Sequence, residues 1–409
     1  MKTLKIIFIV WLIAGRYLSV AQSSVFVSTQ GKQIIASDGR PLLLKGINLG
    51  NWLVPEGYMF KFEGTNSPRL IDKVFSELLG SDGAKKFWKQ YRDNYITKED
   101  IAFIKKIGLN SIRVPFNYRL FVSEDHDTRF AGPGFEMLDR VVAWCKEEKL
   151  YVVFDMHCAP GGQTGDNIDD SFGYPYLFES AESQQLTIDL WREIAKRYAK
   201  EPIVIGYDLL NEPIATYFDA AKFNDKLEPL YKRIVAGIRE VDTNHIVFLG
   251  GAQWNGNFKV FGIPFDKKSV YTYHKYWCDT TQAMVQEYKD FSNKYTVPIW
   301  MGESGENTDI WVDGWRKLNE RNNFGWCFWP YKKMDATSNI VSMKRTAEWD
   351  SIIVYTKRAG NSFADIRKFM PARDVITKAF DDYLENCKFQ HCEVNEGYVK
   401  ALGLMQNKK

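Results

Sequence analysis

Once its first 21 residues are set aside, the chain lacks a surplus of either charge. It carries 54 Lys and Arg against 51 Asp and Glu, and Lys2, Lys5 and Arg16 account for the whole difference. No acid falls among those residues, so the remainder balances at 51 against 51. There is no basic run either, which removes the electrostatic footprint of a nucleic-acid binder. Past the N-terminal segment no stretch is long and apolar enough to span a bilayer. Internal repeats, low-complexity tracts and linkers are missing, so one domain over residues 22–409 is expected. Six cysteines are too few for a disulfide scaffold. Cys145, Cys158, Cys278 and Cys327 fall in helix- or strand-like segments, where buried thiols are common. Cys387 and Cys392 lie close enough in sequence to close a small loop, and spacing leaves their pairing open.

What is present begins with an address. Residues 1–21 combine a basic start, an apolar stretch from Ile6 to Ala14 and a small-residue Ser19-Val20-Ala21. That is the layout of a secretory signal peptide, so a secreted or periplasmic protein is expected. Gly15-Arg16 interrupts the apolar stretch before it reaches spanning length. Apolar residues at 45% and charged residues at 26% are ordinary globular values and exclude disorder as the main state. The aromatic share, 15% with 13 Trp, is high and suits a cleft that stacks on flat ligands.

Strand and helix patterns alternate along the chain. Short apolar runs fall at Leu42–Ile47, Ser111–Phe116, Tyr151–Met156, Ile203–Leu210, Ile246–Gly250, Val270–Tyr273, Pro298–Gly302 and Gly325–Trp329. Between them lie helical stripes: Ile101, Ile104 and Ile107 after a Thr97 cap and before Gly108; Leu138, Val142 and Cys145; Leu186, Leu190 and Ile194; Leu227, Leu230, Ile234 and Ile238. Pro229 sits awkwardly in the last pattern. Most of the eight strands are followed by a helix, which with right-handed crossovers predicts an α/β fold, a (β/α)8 TIM barrel. A doubly wound sheet would need a glycine-rich phosphate loop after strand one, and Gly46–Trp52 has neither its spacing nor a helix start behind it. Segments 54–96, 159–182 and 332–362 read as long irregular loops on the C-terminal face, where barrel active sites are built. Gln33–Leu44, with Asp38-Gly39 between apolar arms, reads as a β-hairpin at the barrel's start.

Polar groups gather where the apolar runs end: Arg113, His157, Asn211-Glu212, His274 with Tyr276, Glu303 and Trp329. Such groups are costly in a core but suit a barrel mouth. Two glutamates on separate strands are what glycosidic cleavage requires, one protonated to serve the leaving oxygen and the other ionised. Asn211-Glu212-Pro213 alone is equally a helix-starting turn, and Gly302-Glu303-Ser304-Gly305 alone an exposed turn. Joined in this order the set resembles glycoside hydrolase family 5, from about Gly31 to Phe380. The resemblance is carried by Ser111-Ile112-Arg113-Val114-Pro115, Asp155-Met156-His157, Leu210-Asn211-Glu212-Pro213, Tyr273-His274-Lys275-Tyr276, Gly302-Glu303 and Phe328-Trp329.

The resemblance implies a retaining β-glycosidase or glucanase, with Glu212 as general acid/base and Glu303 as nucleophile. It implies that Asn211 binds the sugar 2-hydroxyl, that Tyr276 and Arg113 hold Glu303 ionised, that His157 and His274 line the sugar subsite, and that Trp329 floors it. Gly46–Glu56 and Tyr91–Asp100 are similar to the family's exo-acting β-1,3-glucanase branch, which would place Glu56 on hydroxyls of the terminal sugar. Asp166–Tyr176 and the loop after strand eight depart from that branch, so linkage and exo or endo action stay open. Neither cofactor nor metal is expected, the partner is a carbohydrate, and the protein is expected to be a monomer. Three other readings use the same barrel: a transglycosylase, a β-mannan-type hydrolase, and a metallohydrolase built on His157, Cys158, His274 and Cys278. Adjacent strand residues point to opposite sides, which counts against His157 and Cys158 sharing a metal.

Overall fold

Eight short apolar runs close into a parallel barrel. In the computed structural model, which describes residues 26–123 and 130–404, the barrel strands are β3 (Lys45–Asn48), β4 (Ser111–Asn117), β5 (Tyr151–Cys158), β6 (Val204–Asp208), β7 (Ile246–Gly250), β8 (Ser269–His274), β9 (Ile299–Glu303) and β10 (Gly325–Phe328). They follow one another around the barrel in chain order, and β10 closes the ring against β3. Helices cover the outside, so both faces of each strand are buried, which is why the strands read as nearly continuous apolar runs. The expected signal peptide, residues 1–21, lies outside the described residues. Among the described residues no helix is long and apolar enough to cross a membrane.

The barrel is layered. At its N-terminal end Val153, Ile205, Ile246, Phe248, Val270 and Trp300 pack with Val27, Ile34 and Leu44 of the N-terminal segment. That segment forms a hairpin of β1 (Ser28–Gln30) and β2 (Gln33–Ile35) and plugs the bottom. Its main turn is therefore at Gly31-Lys32, one arm earlier than expected. The Asp38-Gly39 turn exists as well, folding Pro41 back onto Ile35 through a single bridge. Above the apolar plug, register pairs Asn48 with Arg113 and Asp155 with Asp208, giving a polar middle layer. Arg113 thus sits third in a seven-residue strand, inside the barrel rather than at the strand's end.

The helices obey their sequence signals. Thr97 and Asp100 form a capping box, and Gly108 takes a left-handed φ of 104° just past the helix end. The helix Ala220–Arg239 runs through Pro229, starting from an Asp219 cap that accepts from Ala221 N–H. Two of the three expected irregular loops are not irregular. Segment 54–96 holds helices Pro68–Leu79 and Ser81–Tyr95, whose buried residues Ile71, Val74, Phe75 and Leu78, then Ala84, Phe87, Tyr91 and Tyr95, follow helical spacing. Segment 332–362 contributes β11 (Lys332–Met334), β12 (Val341–Met343) and helix Ala347–Thr356, with β13 (Glu393–Val394) completing a small sheet. Segment 159–182 is irregular apart from two short 3-10 turns and the first residues of helix Ala181–Tyr198. All six cysteines are free, Cys387 and Cys392 included, and Cys278 lies in a loop rather than a strand.

Candidate active site

The C-terminal mouth holds a cavity of about 690 Å³ lined by Glu56, His157, Glu212, His274, Tyr276, Glu303 and Trp329, with Arg113 and Asn211 in contact beneath it. Every site residue expected from sequence is therefore in or under one depression.

Glu303 is the last residue of β9. Arg113 donates from Nη1 to Oε1 at 2.5 Å, and the Tyr276 hydroxyl donates to Oε2 at 3.1 Å. Arg113 is wholly buried and serves three carboxylates at once, with Asp208 accepting from Nε at 2.9 Å and Asp155 3.0 Å from Nη2. Asn48 and Asn211 accept its remaining bonds at 3.0 and 2.9 Å. One cation among three buried acids cannot satisfy all of them as anions. Burial pushes Asp155 and Asp208 up to about 7 against the pull of Arg113, while the same acids keep the guanidinium charged. Glu303 is raised as well: burial outweighs Arg113, which only limits the rise. The expectation that Arg113 would depress this carboxyl omitted the desolvation of a site closed from below.

His157 hydrogen-bonds Asp155 through Nδ1 at 2.7 Å. Burial lowers it to about 3, so the ring is neutral. The Asn211 amide at 3.3 Å from Nε2 is a donor there, which leaves the ring proton on Nδ1. Asn211 is itself anchored, since Gln163 donates to its carbonyl at 2.8 Å. Trp329 stacks on His157 with 10° between planes and donates from its indole to the Tyr58 hydroxyl at 2.8 Å. Gly50 makes this placement possible, because a Cβ there would lie 2.7 Å from the Trp329 ring.

Glu212 leaves β6 in a left-handed conformation, φ 45°, a strained backbone that costs about 1–3 kcal/mol and aims the side chain into the cavity. Its Oε1 lies 2.9 Å from His274 Nδ1. Burial first, then the nearby Glu303, raises its pKa well above the ordinary carboxylate range. Burial and Arg113 keep His274 neutral. Gly302 leaves room for that imidazole, since a Cβ would stand 2.8 Å from Nε2.

Glu56 is not the surface glutamate that a long loop allows. It is 4% exposed, its N–H donates to Asn51 Oδ1 at 2.8 Å, and its Oε1 is buried without a partner. Burial, Glu303 and Glu306 raise its pKa against the pull of Lys333. Asp155 entered the sequence reading only within Asp155-Met156-His157, and neither it nor Asp208, Tyr58 or Glu306 was given a role there. The signal for the first two was there, a single acid inside each of the apolar runs Tyr-Val-Val-Phe-Asp and Val-Ile-Gly-Tyr-Asp.

His157, Cys158, His274 and Cys278 do not converge: the Cys158 thiol turns away to the Ile168 carbonyl. The sets compact enough for a cation among the described residues are Asp155-His157-Glu303 and Glu212-His274-Glu303. In the first, Arg113 already supplies positive charge to both acids.

Comparison with known proteins bears on the family and the fold. The model of Cellulase (glycosyl hydrolase family 5) matches residues 72–335. A beta-xylosidase of Phanerodontia chrysosporium is 33% identical over 255 residues, 61% of this chain and 52% of that protein, so the chain spans about half its length. Endoglucanase C of Acetivibrio thermocellus is 26% identical over 61% of this chain and 88% of its own. Glucan 1,3-beta-glucosidase 2 of Wickerhamomyces anomalus is 29% identical over 64% of each. Among solved structures, an endogalactoceramidase superposes with TM-score 0.60 at 17% identity over 92% of this chain and 84% of its own. Endoglucanase Cel5A of Thermotoga maritima superposes with TM-score 0.52 at 18% identity over 80% and 97%. At such identities the structural likeness speaks for the (β/α)8 fold. With the family match covering more than half of the residues, the chain belongs to glycosyl hydrolase family 5, the cellulase family of O-glycosyl hydrolases.

Proposed function

We propose that this protein is a retaining glycosidase acting on a β-glucan or β-glucoside, with Glu303 as nucleophile and Glu212 as general acid/base. The observation that carries the reading is proximity with asymmetry. A carboxylate oxygen of Glu212 and one of Glu303 lie within 4.8 Å of each other, which sets both acids at one reacting centre, as the roughly 5–5.5 Å carboxyl separation of retaining pairs asks. Their surroundings differ: Glu303 faces Arg113 and a tyrosine hydroxyl, Glu212 a neutral imidazole. Both carboxyls are raised by burial, but Arg113 holds Glu303 closer to the anion and leaves the proton to Glu212, the division of labour that double displacement requires.

In this reaction Glu303 attacks the anomeric carbon while Glu212 gives its proton to the leaving oxygen. The leaving group departs and a glycosyl ester with Glu303 forms. Glu212, now ionised, takes a proton from water, which attacks the ester and restores both residues. As Glu303 loses its charge on forming the ester, Glu212 ceases to face an anion, so its proton affinity falls when it must act as acid and base in turn. Asn211 binds the 2-hydroxyl, His157 and His274 line the subsite, and Trp329 forms its floor. Glu56 accepts from hydroxyls of the non-reducing terminal sugar, a role its unpartnered Oε1 suits. The relatives named endoglucanase and glucan 1,3-beta-glucosidase support a glucan substrate. The signal-like residues 1–21 support export, with residues 22–409 as the hydrolase domain. Proton NMR of a β-glucoside digest tests the mechanism: the β-anomer of the released sugar appears first, and first appearance of the α-anomer rejects it.

A further inference from the structure

Past Glu303 the chain stays at the cavity wall. Ser304-Gly305-Glu306 follows β9, and Glu306 lines the same cavity as Glu56, Tyr58 and Trp329. Its backbone is left-handed, φ 49°, a conformation rare for a residue with a Cβ and kept only where the surroundings impose it. The two residues before it do so. Trp329 N–H donates to the Ser304 carbonyl at 2.7 Å, and Gly305 pairs with Trp329 through a parallel bridge. A Cβ at Gly305 would stand 2.4 Å from the Trp329 carbonyl oxygen, and φ there is 135°, so the approach needs glycine. The end of β9 is thus tied to Trp329, and Glu306 is placed by that tie.

Lys333 fixes the carboxyl. Neighbours on a strand point to opposite sides. Lys332 runs inward to Asp100 at 2.8 Å and to the Tyr95 and Cys387 carbonyls at 2.6 and 2.8 Å. Lys333 runs the other way, donating to Glu306 Oε1 and lying 4.5 Å from the centre of the Tyr58 ring. With side chains only 12% and 15% exposed, Lys333 and Glu306 are no ordinary surface pair. Among the described residues nothing donates to Glu306 Oε2. The Tyr58 hydroxyl accepts from Trp329 Nε1 at 2.8 Å and keeps its own proton to give. Burial, with Glu56 and Glu306 nearby, pushes that phenol well above its ordinary range, so the proton stays.

We infer that Glu306 is a second hydroxyl-reading carboxylate at the Glu56 end, its Oε2 accepting from a hydroxyl of the non-reducing terminal sugar. The inference rests on the proposed reading of Glu212, Glu303 and Glu56, which makes this the end that receives that sugar. A carboxylate with one oxygen held by an ammonium cannot turn freely, so the other oxygen waits in a fixed place. A hydroxyl arriving there makes a bond to a charged acceptor, stronger than a neutral pair, and Tyr58 supplies the complementary donor. A sugar lacking that hydroxyl, or carrying a substituent on it, leaves Oε2 unmatched. If Glu306 were only a brace for Lys333, it would not distinguish one hydroxyl from another.

That difference is measurable. The probes are 4-nitrophenyl β-glucoside and its 3-, 4- and 6-deoxy forms, and the readout is the ratio of wild-type to variant kcat/KM on each. Glu306→Gln should lose about tenfold or more on the parent glucoside. On one deoxy sugar the ratio should fall toward one, and on the other two it should stay near the parent's. The sugar that escapes the loss names the hydroxyl bound. Glu306→Ala combined with Lys333→Met removes the pair without leaving a buried charge, and should give the same pattern if the single variant folds poorly. A loss equal on all four glucosides, or no loss on any, overturns the assignment. Failure of the parent reading shows elsewhere, as hydrolysis that survives Glu303→Ala.

Discussion

The two ends of the cavity are built on opposite principles. At the β3 and β10 side recognition groups are buried and polar: Glu56 with an unmatched Oε1, Tyr58 tied to Trp329, and Glu306 paired with Lys333. At the β7 and β8 side the lining is aromatic, with Trp277 open to solvent and Trp254 half-buried. An unpartnered buried acceptor costs about 1–3 kcal/mol until a donor arrives, so under the proposed reading the first end would discriminate by hydroxyl position. Stacking asks only for a ring, so the second end would tolerate variation.

The largest break in this picture comes from removing the groups between the two ends. Glu303→Ala should lower kcat by about 10⁴–10⁶-fold on every glycoside, the scale of losing a covalent nucleophile. Glu212→Ala should cost about 10²–10⁴-fold on substrates that need a proton at the leaving oxygen and far less for the first step with activated aryl glycosides. Steady-state and burst kinetics on the two substrate types check both, and equal losses on both types would erase the distinction between the acids.

The closed end is next in size. Glu56→Gln should lower kcat/KM on short glucosides by about tenfold, near 1.4 kcal/mol of transition-state binding. Unchanged kinetics, or products cut from the interior of a glucan, would open that end and make the enzyme endo-acting.

The smallest expected effect lies under the cavity, where Asp155 and Asp208 share Arg113. A carboxyl raised from 3.8 to about 7 on folding keeps a proton that the unfolded chain has released. Wild-type stability from this group is therefore present below pH of about 4 and is lost as pH rises through about 7. Asp208→Asn has no such group, so its Tm relative to wild type should rise between pH 5 and 8 by roughly 2 °C or more. His157, lowered to about 3, works in the opposite sense between that value and 6.5 in both proteins and cancels in the comparison. A difference in Tm that stays flat with pH would place Asp208 as an ordinary anion.

How far these features were legible in the sequence follows from what each depends on. The strands were readable because burial on both faces leaves continuous apolar runs, and Ile246–Gly250 matches to the residue. The helices Pro68–Leu79 and Ser81–Tyr95 escaped because they interrupt the alternation expected of a barrel and were absorbed into a loop, although their apolar spacing was plain. Among site residues, those beside strand ends stood out as polar groups after apolar ones. Asp155 was hidden by its depth within β5, and Asp208, the last residue of β6, by Leu209-Leu210, which carry the apolar run on past it. The register that pairs them, and the sharing of one guanidinium, are properties of the closed ring and have no local signature. Trp254 and Trp277 carried no signal beyond the high tryptophan content, since backbone strain and exposure are read only from the folded chain.

The central claim is that Glu303 forms the covalent bond to sugar. A 2-deoxy-2-fluoro-β-glucoside with a good leaving group traps such an ester by slowing its hydrolysis, and peptide mass spectrometry then locates the label. The account predicts one equivalent of fluoroglucosyl on the peptide containing Glu303, with inactivation prevented in Glu303→Gln. A label on any other residue, or complete turnover with no labelled peptide, would contradict it.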